Sequence, residues 1–145
     1  MFAKKSQYGF QAAYYISLYA VEEHLISPEE IATSQNLPLP FLRKILQILA
    51  KQKILKSIKG PHGGFGLAKA ASEITLMDIY LAIEGFEVLN NCVIGFTECT
   101  SERPCPFHNA YSDIRNQMYA FLASTTLEDV CNDIKARKSF ISYTQ

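Results

Sequence analysis

The chain has 145 residues, of which 48% are hydrophobic, and this is enough for one hydrophobic core with an added helical element. No apolar run reaches the ~18 residues of a membrane span, so we expect no membrane-spanning helix. The formal net charge is zero, but residues 1–69 carry nine Lys or Arg against four Asp or Glu and residues 70–145 carry five against ten, so the first half is suited to a polyanion.

Three helices are predicted in the first third of the chain. Apolar residues recur at helical spacing near the N-terminus and predict a first helix over roughly 7–23. Ser27 can cap a second helix over 28–35, and Glu30 stands where it can complete a capping box. A break follows, and a second apolar-periodic run predicts a third helix over 39–51, which is the candidate recognition helix.

A short β-hairpin is predicted directly after the third helix. Residues 54–59 read as a strand, the glycines between Gly60 and Gly64 turn the chain, and residues 65–67 can return beside the strand. Helix, tight turn, helix and hairpin is the order of a winged helix-turn-helix. We therefore predict a mainly α fold with a small β-hairpin, in which residues 1–86 form a winged helix-turn-helix DNA-binding domain.

The charge of this region points to DNA. From Arg43 to Lys59 there are six basic residues and no acidic one, which suits phosphate binding better than an ordinary solvated helix face. Arg43 can donate two parallel hydrogen bonds to guanine in the major groove, whereas Lys44 more often binds phosphate. The glycine turn can enter the minor groove, although His62 is equally well explained as an exposed turn residue without a role. The predicted DNA-binding residues are Leu39, Pro40, Phe41, Arg43, Lys44, Lys56, Ser57, Lys59, Gly60, His62, Gly63 and Gly64.

Residues 87–108 are predicted to be a cysteine-rich loop that follows a fourth helix. That helix begins with a capping box, Thr75 with Asp78, and ends at Gly85. After the loop, apolar residues recur at alternating spacings of four and three over residues 107–121, which is typical of a coiled-coil seam. We predict that this long helix joins two copies of the chain, and packing within one chain is the alternative.

A final helix is predicted to start at a cap formed by residues 125–128 and to run to about Arg137. Together with the long helix it makes a C-terminal segment, residues 109–145, which we assign to dimerisation. The N-terminus, Met1 to Lys5, is not followed by an apolar signal-peptide core, so we expect a cytoplasmic protein with reduced cysteines.

The cysteine loop holds three of the four cysteines, with the spacing Cys92-x6-Cys99-x5-Cys105-x2-His108. Three thiolates and one imidazole within 17 residues can close on a soft metal centre. Structural zinc usually shows tight C-x2-C knuckles, and this loop has none. Iron–sulfur clusters are held mostly by thiolates, and imidazole can replace thiolate on one iron. An iron–sulfur cluster is therefore favoured, with zinc or metal-free thiol chemistry as alternatives, and Cys131 is predicted to be a packed free thiol.

With these residues in view, the chain resembles the IscR/NsrR-type iron–sulfur regulators, which are dimeric bacterial winged-helix repressors and activators. The resemblance covers almost the whole chain and is carried by Ile31-Ala32, Leu37 to Leu42, Lys56 to Lys69, Ile74 to Ile79, Ala82 to Gly85, the cysteine loop and Thr126 to Val130. The wing segment and the cysteine loop together make it specific.

The resemblance implies a ligand set. It implies that Cys92, Cys99 and Cys105 ligate a cluster, and His108 falls where the IscR-like branch has its histidine ligand, which favours [2Fe-2S] over [4Fe-4S]. The nitric-oxide-sensing branch takes an N-terminal carboxylate from the partner chain, and this sequence has no Asp or Glu before Glu22. The first cysteine gap is six residues, where the IscR-like branch usually has five.

The sequence therefore predicts a homodimeric transcriptional regulator that binds a palindromic double-stranded operator under the control of an iron–sulfur cluster. The cluster would respond to redox state, iron supply or nitric oxide. A clusterless thiol switch or a zinc-containing winged-helix repressor is the alternative. No catalytic triad, P-loop or dinucleotide fingerprint is visible, so a thiol-dependent enzyme around Cys105 and His108 is the least favoured reading.

Overall fold

The structure, a computed structural model, describes residues 2–137 apart from the side chains of Val88 and Arg137. In chain order the elements are α1 (Lys4–Tyr19), α2 (Pro28–Gln35), α3 (Leu39–Lys51), β1 (Leu55–Ile58), β2 (Gly64–Leu67), a 3₁₀ turn (Ala71–Glu73), α4 (Leu76–Glu84), α5 (Glu87–Asn90), α6 (His108–Ser124) and α7 (Leu127–Arg137). This is the order of a winged helix-turn-helix followed by a long helix, as predicted. Residues 138–145 of the predicted C-terminal segment lie outside the described residues.

Helix α1 is displaced from its predicted position. It begins at Lys4 and ends at Tyr19, whereas the spacing of its apolar residues suggested residues 7–23. The physical reason is the turn that follows, in which the backbones of Val21 and His24 exchange two hydrogen bonds of 3.0 Å. These bonds require an extended backbone, so the helix stops before them.

The helix-turn-helix itself matches the prediction in both helix boundaries. Ser27 caps α2, because its hydroxyl accepts a hydrogen bond of 3.1 Å from the Glu30 backbone N–H. The predicted capping box is wrong, since the Glu30 carboxylate instead accepts a hydrogen bond from the Tyr15 hydroxyl at 3.2 Å. Asn36 ends α2 in the left-handed region at φ 52°, and α3 then buries its apolar stripe. The buried residues of α3 are Leu42, Ile45, Leu46 and Leu49.

The wing is a two-stranded antiparallel sheet in which Leu55 pairs with Leu67. The connection between α1 and α2 adds a third strand-like segment, because Ile26 and Phe65 exchange backbone hydrogen bonds of 3.0 and 2.8 Å. Gly64 lies at this junction with φ 149°, and a Cβ there would stand 2.8 Å from the Ile26 carbonyl oxygen. The wing is therefore anchored to the body through the start of β2, next to its turn.

The fourth helix is capped as predicted, and the cap of the last helix lies within the predicted residues 125–128. Thr75 and Asp78 form the capping box of α4. The cap of α7 is Thr126, whose hydroxyl accepts from the Asp129 N–H at 3.1 Å. The neighbouring Thr125 ends α6, and its carbonyl accepts a hydrogen bond of 2.9 Å from the Leu76 N–H at the start of α4.

The predicted seam of α6 lies on the surface within one chain. The one residue that α6 buries in the described part of the chain is Leu122, which packs with Tyr80 of α4 and Leu89 of α5. On the seam, Ile114 is 60% exposed and Phe121 is 52% exposed. Ile114 and Phe121 of this long helix are thus left uncovered by the described residues of their own chain, whereas Met118 on the same seam packs against the Tyr80 core. No helix in residues 2–137 is long and apolar enough to cross a membrane.

Candidate metal centre and nucleic-acid interface

The segment between α5 and α6 brings all four predicted metal ligands together. The Sγ atoms of Cys92, Cys99 and Cys105 lie within 4.8 Å of one another. Two closer pairs stand out: Cys92 Sγ is 3.6 Å from Cys105 Sγ, and Cys99 Sγ is 3.2 Å from Nδ1 of His108. His108 is the first residue of α6, so one of the four donors sits on a helix.

Backbone hydrogen bonds within the loop place these donors. Gly95 has φ 81°, and its N–H bonds to the carbonyl of Cys92 at 2.9 Å, so the chain turns sharply after the first cysteine. The N–H of Cys105 bonds to Sγ of Cys99 at 3.4 Å. The N–H of His108 bonds to the carbonyl of Cys105 at 3.0 Å. The donors therefore converge through local bonds within the loop.

The loop gives its thiols different acidities. Burial raises the pKa of Cys92, but hydrogen bonds from the backbone N–H groups of Ile94 and Phe96 and contacts with the other two thiols outweigh it, so its pKa falls to about 7. Burial raises the pKa of Cys105, and the neighbouring Cys99 and Cys92 raise it further. One donor is thus readily deprotonated near neutral pH, and thiolate is the form that binds soft metals.

The surroundings of the donors suit a polar, charged group. A cleft of about 470 Å³ is lined by Cys92, Cys99 and His108 together with Arg115 and Tyr119. Three thiols and an imidazole match the donor chemistry of an iron–sulfur or zinc centre. The predicted residues therefore fit such a group.

The predicted DNA-binding residues fall into an exposed set and a packed set. Phe41 is 40% exposed and packs edge-to-face on Tyr8 of α1 with 5.7 Å between ring centroids. Leu39 is half-buried against the core, and Gly63 in the turn of the wing and Gly64 at the start of β2 are also half-buried. The exposed set comprises Pro40, Arg43, Lys44, Lys56, Ser57, Lys59, Gly60 and His62.

The structure adds one residue that sequence reasoning missed at this face. Arg43 forms an ion pair with Glu29 in the first turn of α2, with Nη2 donating to Oε1. The sequence analysis treated Glu29 only as part of a helix start. The two residues are 14 positions apart and lie on different helices, so no periodicity links them.

Comparison with known proteins places this arrangement among regulators. The Rrf2 family, described as "Iron-dependent Transcriptional regulator", matches residues 2–133. An HTH-type transcriptional regulator of Aquifex aeolicus is 31% identical over 91% of this chain and 92% of its own. The transcriptional regulator IscR of Photorhabdus laumondii is 27% identical over 89% of this chain and 77% of its own. The structure of CymR, the global cysteine regulator of B. subtilis, has a TM-score of 0.74 and 26% identity, covering 91% of this chain and 96% of that one.

The lowered pKa of Cys92 predicts its reactivity in protein that has been stripped of metal with a chelator. Iodoacetamide should label Cys92 first, with a rate that rises through a midpoint near pH 7, because the thiolate predominates above that pH. Cys105 should lag at neutral pH because its pKa is raised. Mass spectrometry of the labelled peptides measures both rates. Equal labelling of the two thiols at pH 7 would contradict the assignment.

Proposed function

We propose, on the premise that this chain belongs to the Rrf2 family of transcriptional regulators, that an iron–sulfur cluster in its cysteine loop controls its binding to DNA. The observation that carries the proposal is the convergence of three thiol sulfurs within 4.8 Å, beside a histidine. The family membership points to a transcriptional regulator and away from an enzyme.

The ligands we propose are Cys92, Cys99, Cys105 and His108. Their arrangement as two close pairs supports a [2Fe-2S] cluster over [4Fe-4S], because each of two irons needs two protein donors. Similarity to a protein named IscR supports the same group. When bound, the cluster supplies iron that is sensitive to redox state, iron supply and nitric oxide.

The DNA-binding surface we propose is α3 together with the wing. Recognition helices of this class enter the major groove and present their N-terminal residues to base edges. Arg43 and Lys44 occupy that part of α3 and are exposed. Lys56, Ser57 and Lys59 are exposed residues of the wing. The lysines are suited to phosphate and the wing to the adjacent minor groove.

The functional unit we propose is a homodimer joined by α6. The exposed seam residues of α6 include Ile114 and Phe121, which water would otherwise surround. Two copies would present two recognition helices with a two-fold relation. A palindromic operator requires a fixed distance between those helices, near one turn of duplex or a multiple of it.

Packed side chains join the cysteine loop to the proposed DNA-binding surface and to the proposed dimer interface. Leu89, three residues before Cys92, is buried against Tyr80 of α4 and Leu122 of α6. Helix α4 in turn packs against α1 and α3. A change in the loop would therefore act on α6 and on the base of the DNA-binding domain together. We infer that cluster state sets the spacing of the two recognition helices.

A thiol switch without a cluster is the second candidate function. It is favoured by the 3.6 Å between the sulfurs of Cys92 and Cys105, which is a short move from a disulfide. Forming that bond would remove two protons and two electrons, which an oxidant such as a peroxide would accept. A zinc site would use the same donors, and a thiol-dependent enzyme has the least support.

The cluster is tested on protein purified without oxygen, by its visible spectrum and by iron and sulfide counts. We expect visible absorption with about two irons and two sulfides per chain. Cys92→Ala should lose the cluster, and His108→Ala should make it labile, whereas Cys131→Ala should keep it because Cys131 lies near Ser17 and away from the loop. Protein that stays colourless after reconstitution would favour the thiol switch or zinc.

Control of DNA binding is tested on duplexes selected from a randomised pool by the cluster-loaded protein. Fluorescence anisotropy then compares the cluster-loaded protein with the same preparation stripped by a chelator. We expect at least a tenfold difference in Kd, equal to about 1.4 kcal/mol, because the loop is packed onto the elements that carry the recognition helix. An identical Kd for the cluster-loaded and the stripped protein would contradict the proposal that the cluster controls DNA binding.

The dimer is tested by placing a charge on the seam of α6. Ile114→Glu should shift the chain to a monomer in sedimentation velocity and weaken duplex binding, because two carboxylates would have to be buried face to face. Ala123→Glu is the matched control, since Ala123 is exposed on the opposite face of α6, about two and a half turns along the helix from Ile114. Equal behaviour of the two variants would argue against this face as the interface.

A further inference from the structure

We propose that Glu29 is a positioning residue for DNA readout, which holds the guanidinium of Arg43 for a base and keeps it from binding phosphate. The inference rests on the proposed function, because it assumes that α3 enters the major groove. It goes beyond that function by assigning a role to a residue of α2, outside the recognition helix and the wing.

The geometry of the pair carries the first step. Glu29 stands in the first turn of α2, and Ser27 fixes that turn by accepting the Glu30 N–H at 3.1 Å. Arg43 lies on α3, and its Nη2 donates to Oε1 of Glu29. The ion pair therefore spans the two helices of the helix-turn-helix, and a rigid turn of α2 supports the carboxylate. The guanidinium of Arg43, at the end of an otherwise flexible side chain, is therefore held in one position.

The charges of this face supply the second step. Of the six basic residues between Arg43 and Lys59, Arg43 is the one with an ion pair in the part of the chain that the structure describes. The five lysines therefore offer full positive charges to phosphate. The Arg43–Glu29 pair is close to neutral, so Arg43 adds little to the general attraction for DNA and retains its hydrogen-bond donors.

The donor count supplies the third step. A guanidinium has five N–H donors, and its bond to Glu29 leaves others for the two acceptors of guanine, O6 and N7. The side chains of Arg43 and Glu29 are 53% and 54% exposed. An ion pair this exposed contributes little to stability. Its consequence is instead geometric: the arginine is pre-oriented, which lowers the entropy lost when it binds a base.

The experiment uses the cluster-loaded protein and a randomised duplex pool, with sequencing of the bound fraction. The variants are Glu29→Ala, Glu29→Gln, Arg43→Ala and the double variant of Glu29→Ala with Arg43→Ala. Glutamine removes the charge but keeps an oxygen that can accept from Arg43. Glu23→Ala is the control, because Glu23 is an exposed carboxylate in the nearby turn with no ion pair in the described residues. The affinity of each variant for a mixed-sequence duplex is measured in parallel as a function of salt concentration.

We expect Glu29→Ala to lower the preference for guanine at one position per half-site by about fivefold or more, the lower end of one bidentate contact. Its affinity for mixed-sequence duplex should rise, and the salt slope should steepen by about 0.9, since Arg43 becomes free for one phosphate. Glu29→Gln should retain most of the preference. The double variant should match Arg43→Ala, and Glu23→Ala should match the parent.

Three results would overturn this inference alone. If Glu29→Ala keeps a preference that Arg43→Ala loses, Glu29 does not position Arg43. If Glu29→Gln and Glu29→Ala change affinity equally with no change in preference, only the charge of Glu29 matters. If Arg43→Ala keeps every preference, Arg43 reads no base, although the proposed function stands. A parent protein that selects no sequence would overturn the proposed function and this inference together.

Discussion

The apolar contact of Tyr80, Leu89 and Leu122 is the junction on which the rest of the structure depends. It joins α4 of the DNA-binding domain, the short α5 before the cysteines and the long α6 in one small core. Phe2 extends it toward the N-terminus, with its ring 5.7 Å from Tyr80. Because closely packed cores shift between discrete arrangements and do not deform smoothly, this junction can transmit a change in the loop to both helices.

The cysteine loop obeys a different constraint from the core. Most of its residues are exposed, including the apolar residues Val93, Ile94 and Phe96. Its shape depends on a few backbone hydrogen bonds and on Gly95, with little apolar burial to hold it. A segment held so lightly gains much of its order from whatever its donors bind. Ligand binding in the loop and packing at the junction are therefore coupled in our proposal.

The basic face shows how a chain of zero net charge can bind a polyanion. The lysines of α3 and the wing stand without acidic neighbours, and the acidic excess lies in the second half of the chain. Glu29 is the exception at this face, and its pairing with Arg43 removes the repulsion that a lone carboxylate would exert on phosphate. In our proposal the lysines provide the general attraction for DNA, and Arg43 reads a base.

Local patterns in the sequence determined α2, α3, the hairpin and the Thr75 cap, because each depends on neighbours within a few residues. The three clustered cysteines were likewise visible in the sequence, because they lie in one loop. Tertiary structure decided the rest. The chain after α1 joins the wing because Ile26 pairs with Phe65, and the carbonyl of Thr125, beside the cap of α7, accepts a hydrogen bond from the start of α4. The pairing of Arg43 with Glu29 likewise depends on how two helices meet. Such contacts join residues far apart in the chain, so no spacing in the sequence encodes them.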